Sequence, residues 1–320
     1  MEDANKIPKR DQDILSCLPY CLLNFLSPRD AEMANLILGT ATFGTGYGIA
    51  NKGIKLGDGT ISEIVSTAQR IGISEFDTAP AYGSAETHLG KFLNQELEPK
   101  VSSKISKEDS LSVKLMMESV KKSIARTKVR RLTNLYLHDS EALSGRGASE
   151  TILGLKELLA TGLVDRIGVS VYSIQSLLKS KEIFPELTVF QVPENICDRR
   201  LLDSKELKAL ASEGNHFIVR SIFLQGLLLM SLDEIPPELE GSKFAIGQLK
   251  TFADAQHVST LDLCLSYGKA ISWAEGFIIG AASVLQLRQI MDSKIQLPAG
   301  WDSKIGTVPE KILDPRNWGV

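Results

Sequence analysis

Eight short apolar runs recur along the chain, and helical patterns fall between them. Polar side chains gather where the runs end. Together these features predict one α/β domain, a (β/α)8 TIM barrel with its site at the C-terminal face of the strands. The 320 residues suit one such barrel, and a hydrophobic share of 43% is enough for its core.

The candidate strands are Leu36–Gly39, Ile73–Asp77, Val101–Lys104, Asn134–His138, Arg166–Ser170, Thr188–Val192, Phe217–Ser221 and Gly276–Gly280. Most are near-continuous apolar runs, as parallel strands buried on both faces should be. Thr60-Ile-Ser-Glu63 reads as a capping box, with Ile61, Ile64, Val65, Ala68 and Ile71 on one helix face and Gly72 as the stop. Val113, Met116, Met117, Val120 and Ile124 share a helical spacing, the methionines as core filler. Ser149 is expected to cap a helix carrying Ile152, Leu155 and Leu159, and Ser173, Asp203 and Ser283 are expected to open later ones. A doubly wound sheet is the runner-up. Its Gly-rich turn could only be Gly44-Thr-Gly-Tyr-Gly48, and Ile49-Ala-Asn-Lys-Gly53 after it does not read as a helix start.

Three segments follow. Residues 1–32 are expected to extend outside the barrel, with a helix capping its bottom as the alternative. Residues 33–297 form the barrel. Residues 298–320, with Pro298, Pro309 and Pro315, form an irregular tail around its outside. The net charge of -3 comes with no basic stripe, which argues against a nucleic-acid partner. The apolar run Leu15–Leu26 is too short to cross a bilayer. Glu2, Asp3, Asp11 and Asp13 before it do not make a secretory n-region. A cytoplasmic protein is expected. Cys17, Cys21, Cys197 and Cys264 form no paired metal motif, so no metal is expected.

The strand ends carry the chemistry. The second run ends in Asp77, with Tyr82 in the loop beyond. The third ends in Lys104 and the fourth in His138-Asp139. Ser170 ends the fifth, Gln191 lies in the sixth, and Arg220-Ser221 ends the seventh. Reducing a carbonyl needs a hydride at carbon and a proton at oxygen. A free phenol is a poor acid at neutral pH. An adjacent ammonium favours the phenolate, and a carboxylate can hold that ammonium in place. An imidazole can orient the substrate oxygen. Tyr82, Lys104, Asp77 and His138 fit these four parts if Tyr82 and Lys104 meet.

Phe76-Asp-Thr-Ala-Pro-Ala-Tyr82-Gly-Ser-Ala-Glu86 resembles the signature of the aldo-keto reductases. Ser102-Ser-Lys104, Tyr136-Leu-His138, Ile167-Gly-Val-Ser170, Phe190-Gln191 and Phe277-Ile-Ile-Gly-Ala-Ala-Ser-Val284 follow in that family's order. The likeness spans residues 34–293. It implies a catalytic tetrad of Asp77, Tyr82, Lys104 and His138 and an NADPH cofactor, with NADH also admitted. By the same resemblance Ser170 and Gln191 hold the nicotinamide carboxamide. Arg220 stands where many members stack a ring on the nicotinamide. Ser221, Leu224 and Gly226 match the pyrophosphate loop, and Gly280, Ser283 and Arg288 belong to the cofactor set, the last two at the 2′-phosphate. Val171 and Ala282 depart from the family, standing where many members have Asn and Lys. Arg220-Ser-Ile-Phe-Leu-Gln-Gly226 and Asp314-Pro-Arg-Asn-Trp318 look like a bacterial branch associated with sugar modification. The implied partner is a small carbonyl compound, a sugar derivative among the candidates. Tyr47, Tyr172, Asn195, Arg199 and Trp273 are candidates to line its pocket.

Two other readings compete. One is a regulatory barrel that binds the cofactor with negligible turnover. The other is a metal-dependent hydrolase, poorly served by His88, His138, His216 and His257, since only His138 ends a candidate strand.

Overall fold

A computed structural model describes residues 35–51 and 53–319. The expectations for residues 1–32, including Cys17, Cys21 and the Leu15–Leu26 run, lie outside the described residues.

Eight parallel strands close on themselves: β1 (Asn35–Gly39), β2 (Glu75–Asp77), β3 (Lys100–Ile105), β4 (Leu132–Leu137), β5 (Val164–Ser170), β6 (Val189–Pro193), β7 (His216–Arg220) and β8 (Gly276–Gly280). β1 pairs with both β2 and β8, so the sheet has no edge and the doubly wound alternative falls. Each strand lies within two residues of its expected position. His138 stands one residue beyond β4, its amide donating to the Ile105 carbonyl, and Ser221 stands one beyond β7.

Inside the barrel, Ile37, Tyr136, Val189 and Ile218 from four strands pack together. The larger core lies between the strands and the surrounding helices, where Leu38, Phe76, Ile167, Phe190 and Phe217 are fully buried. Polar groups close the barrel near the strand starts. Arg166 binds Glu275 through both terminal nitrogens, Arg166 Nε donates to Asn134 Oδ1, and Asn134 Nδ2 donates to Ser102 Oγ.

The helices follow the expected pattern with different starts. The first long one is Asp58–Arg70, begun by Gly57 with no side-chain cap, so Thr60-Ile-Ser-Glu63 is not its capping box. An acidic residue in the first turn, Asp58, stands in a favourable place against the helix dipole. Gly147, at φ 95°, rather than Ser149 begins Ala148–Thr161, and Ser204 rather than Asp203 caps Lys205–Ser212. Ser173 and Ser283 do cap their helices. In Val113–Thr127 the buried face carries Met116 and Val120. The stretch from Leu227 to Ser272 holds helices Lys243–Ala255 and Thr260–Ala270, the second opened by a Ser259–Asp262 capping box.

The tail forms short helices at Trp301–Lys304 and Glu310–Leu313 and a turn at Pro315–Asn317. It is not confined to the outside, because Pro315 and Arg316 reach the cleft at the barrel mouth. No helix of the described residues is long and apolar enough to cross a membrane.

Candidate active site

The C-terminal ends of the strands surround a cleft of about 1200 Å³. That exceeds the usual site for one drug-sized ligand, roughly 300–1,000 Å³. Asp77, Tyr82, Lys104 and His138 all line it.

Asp77 and Lys104 end neighbouring strands whose register aligns Asp77 with Ser102, two residues before Lys104. Their side chains are almost completely buried. Lys104 Nζ donates to Asp77 Oδ1 at 2.6 Å and to the Thr78 carbonyl at 3.1 Å. Gln191 Nε2 donates to the other Asp77 oxygen, so both oxygens of the carboxylate are engaged. Burial alone would lower the Lys104 pKa, but Asp77 and then Tyr82 more than offset it, and the ammonium is held above its ordinary range. Lys104 is therefore a firmly charged cation at neutral pH.

Tyr82 stands at the end of a turn, Pro80–Tyr82, half-exposed, with its ring centroid 5.0 Å from Lys104 Nζ. The contact the sequence required is made. Glycines set this loop's place. A Cβ on Gly44 would fall 1.8 Å from the Tyr82 carbonyl oxygen, and one on Gly83 would fall 2.7 Å from the Gly44 oxygen. Two residues that lack a Cβ let the Tyr82 loop lie against the segment after β1. Glu86, in the helix that follows, is fully buried. It accepts from Ser103 Oγ at 2.8 Å and pairs with Arg126, tying the Tyr82 loop to the strand that carries Lys104.

His138 faces the open cleft. Desolvation there, then the cations Lys104 and Arg220, hold its pKa below the ordinary value. At neutral pH the imidazole is therefore uncharged, with one nitrogen as donor.

A long wall leads away from this cluster. Ser170, Gln191, Arg220, Ser221, Gly226 and Gly280 line it. Gln191 Oε1 is buried beside Tyr136 without a hydrogen bond of normal geometry. After β7 the backbone takes positive φ at Ser221 (67°), Leu224 (45°), Gln225 (55°) and Gly226 (92°). Such strain in non-glycine residues collects at ligand-binding loops. Gly226 lies so close to Ala50 that an added Cβ would meet the Ala50 Cβ at 2.7 Å.

Not every expected residue is on the wall. Leu224 is buried, Ser283 caps Val284–Asp292, and Arg288 is exposed on that helix, all three outside the lining. Gln286, Gln289, Asp262 and Asp292 line that end of the cleft instead. Of the pocket candidates, Tyr47 and Tyr172 line the cleft. Asn195 donates to the Ser221 carbonyl, Trp273 donates to the Leu202 carbonyl, and Arg199 stacks on Trp301, so these three serve the framework. Sequence reasoning missed Arg316, which stands on the cleft wall against Tyr172. Among the described residues no group of three or more His, Cys, Asp or Glu could hold a metal ion.

The chain is 27% identical over 296 residues to L-galactose dehydrogenase of Arabidopsis thaliana, covering 84% of this chain and 90% of that protein. It is 23% identical over 285 residues to D-arabinose 1-dehydrogenase of Saccharomyces cerevisiae, covering 82% and 83%. A thermostable aldo-keto reductase solved with the inhibitor epalrestat shares the fold at a TM-score of 0.63 and 21% identity, over 84% of this chain and 92% of that one. A structure described as an aldo-keto reductase of Pseudomonas aeruginosa shares it at 0.59 and 20%, over 81% and 88%. The model of the aldo/keto reductase family matches residues 35–299, and the chain belongs to that family.

Proposed function

We propose that this protein reduces an aldehyde or ketone to an alcohol with a nicotinamide dinucleotide, Tyr82 donating the proton to the carbonyl oxygen. The observation that carries the reading is the cluster at one end of the cleft: the buried Asp77–Lys104 pair against Tyr82, with an uncharged His138 on the same wall. Lys104 favours the phenolate that Tyr82 becomes as it gives up its proton. Asp77 keeps Lys104 charged and fixed, since an ammonium this buried needs a partner. His138 donates to the substrate oxygen and orients it.

The wall fits a dinucleotide. Gln191 and Ser170 line the wall and offer polar groups to a carboxamide, and the strained Ser221–Gly226 loop suits a pyrophosphate. When bound, the nicotinamide supplies the hydride. The finer reading, NADPH over NADH, hangs on Arg288 and Ser283. Arg288 must turn toward the cleft, against the field of Asp262 and Asp292, to meet a 2′-phosphate. The names of the two dehydrogenase relatives support a sugar as substrate, in either direction of reaction.

Tyr82→Phe tests the proton donor. General acid catalysis contributes about 10²–10⁴-fold. The variant should lose turnover on that scale while NADPH and NADH, titrated by fluorescence, bind as before. Retained turnover would refute the assignment. In the same titration, tighter NADPH binding that Arg288→Ala abolishes would support the 2′-phosphate contact, and equal binding would remove it. Dinucleotide binding with no turnover of any carbonyl would favour a regulatory role.

A further inference from the structure

We propose that the carbonyl substrate carries an anionic group, a carboxylate or a phosphate, and that Arg220 and Arg316 bind it at the barrel mouth. The proposal rests on the reductase reading and adds the substrate's charge to it.

Arg220 ends β7, and Arg316 comes from the C-terminal tail. The Tyr172 ring lies between them, its centroid 4.0 Å from Arg220 Cζ and 3.9 Å from Arg316 Cζ. All three line the cleft that holds Tyr82 and His138. A guanidinium stacked on a ring keeps its N–H groups in its own plane, and the five donors of each leave some beyond those already engaged for an oxyanion. The stacking also orders both side chains in advance, so less freedom is lost when a ligand arrives.

The two arginines differ in what neutralises them. Arg316 is matched by Asp314, to which its Nε and Nη2 donate. Arg220 makes no ion pair among the described residues; Asp314 acts on it only at longer range and is already engaged by Arg316. Arg220 Nη2 donates to the Val171 carbonyl at 3.1 Å and its Nη1 to Ser221 Oγ at 3.3 Å, both uncharged acceptors. A half-buried guanidinium has given up part of its hydration, and a ligand anion is the counter-charge that would compensate. The positive field of Arg220 also reaches the reacting end, where it is one of the groups acting on His138.

Hydroxyl groups alone would be a poorer match. Guanidinium edges offer donors and no acceptor, whereas a sugar hydroxyl presents both. The dinucleotide's own phosphates share the oxyanion chemistry and are the other source to separate. Arg316 separates them, because it belongs to the tail on the far side of Tyr172 and not to the Ser221–Gly226 loop.

The test compares D-glucuronate with D-glucuronamide, in which an uncharged amide of similar shape replaces the carboxylate, with benzaldehyde as a neutral control. A charge-assisted hydrogen bond implies a preference for the acid of about tenfold or more in kcat/KM, mainly through KM. The preference should shrink as salt rises. Arg316→Gln should raise KM for the acid about tenfold, by the same reasoning, raise the amide's KM by clearly less, and leave the dinucleotide Kd unchanged. Arg316→Lys, which keeps the charge, should recover part of the loss. Turnover of benzaldehyde with no preference for the acid would overturn this proposal alone. So would an Arg316→Gln variant that weakens the dinucleotide and not the acid. No turnover of any of the three with either dinucleotide would bring down the reductase reading, and this proposal with it.

Discussion

Glu194 follows β6 and is fully buried, and its carboxyl is held up to about 8. Burial is the main cause. The hydrogen bonds from Tyr267 Oη and the Leu201 amide pull the other way and do not prevail. Between the ordinary glutamate range near 4.5 and about 8, the folded chain holds a proton that the unfolded chain has lost. Folding is therefore stabilised relative to high pH below the ordinary value, and that advantage disappears as pH rises through about 8. At about 1.4 kcal/mol per pH unit, the span amounts to at most about 5 kcal/mol. Glu194→Gln stays neutral throughout and can still bond Tyr267 and the Leu201 amide. Urea denaturation of both proteins at acid, neutral and alkaline pH measures the effect. The stability of the variant relative to the wild type should climb by several kcal/mol from the acid to the alkaline end. A difference that does not change with pH would show that Glu194 is ionised in the folded protein, and the reasoning would fail.

Two further outcomes concern the site. Gly44→Ala would place a Cβ against backbone that cannot rotate away, 1.8 Å from the Tyr82 oxygen, so the Tyr82 loop must move. A shift of about 1 Å can reduce turnover about 10²-fold; kcat should fall on that scale while the dinucleotide Kd changes little, and an unimpaired variant would show that the contact does not position Tyr82. His138 is held below its ordinary value of 6.5, so its uncharged form persists to lower pH than a free imidazole would. The profile of kcat/KM should stay level from neutral pH down to that value and bend only below it, the bend vanishing in His138→Gln; a bend above it would contradict the surrounding positive charge.

The parts of this protein that were legible in its sequence are those fixed by burial. Strands such as Ile167–Ser170 and Phe217–Val219 face apolar neighbours on both sides, so their composition alone marks them. Once the strands are placed, a barrel puts whatever ends them in one location, and Asp77, Lys104 and His138 fell into a single cleft for that reason. Helix starts were less legible. Thr60 and Ser149 have capping chemistry, yet the backbone turned earlier, at Gly57 and Gly147, where no side chain marks the position by a bond. Contacts between distant segments left no local trace. Gly44 reads as one of several glycines in a loop until the Tyr82 carbonyl is found against it. Arg316 reads as a tail residue beside Asp314 until Tyr172 is found between it and Arg220. The machinery that every member of such a barrel needs is set by strand positions and can be read one strand at a time. The groups that select a substrate come from loops and the tail, and their meaning lies in which of them meet across the mouth. The proposal of an anionic substrate therefore rests on Arg220 and Arg316, two residues far apart in the sequence that meet only across Tyr172.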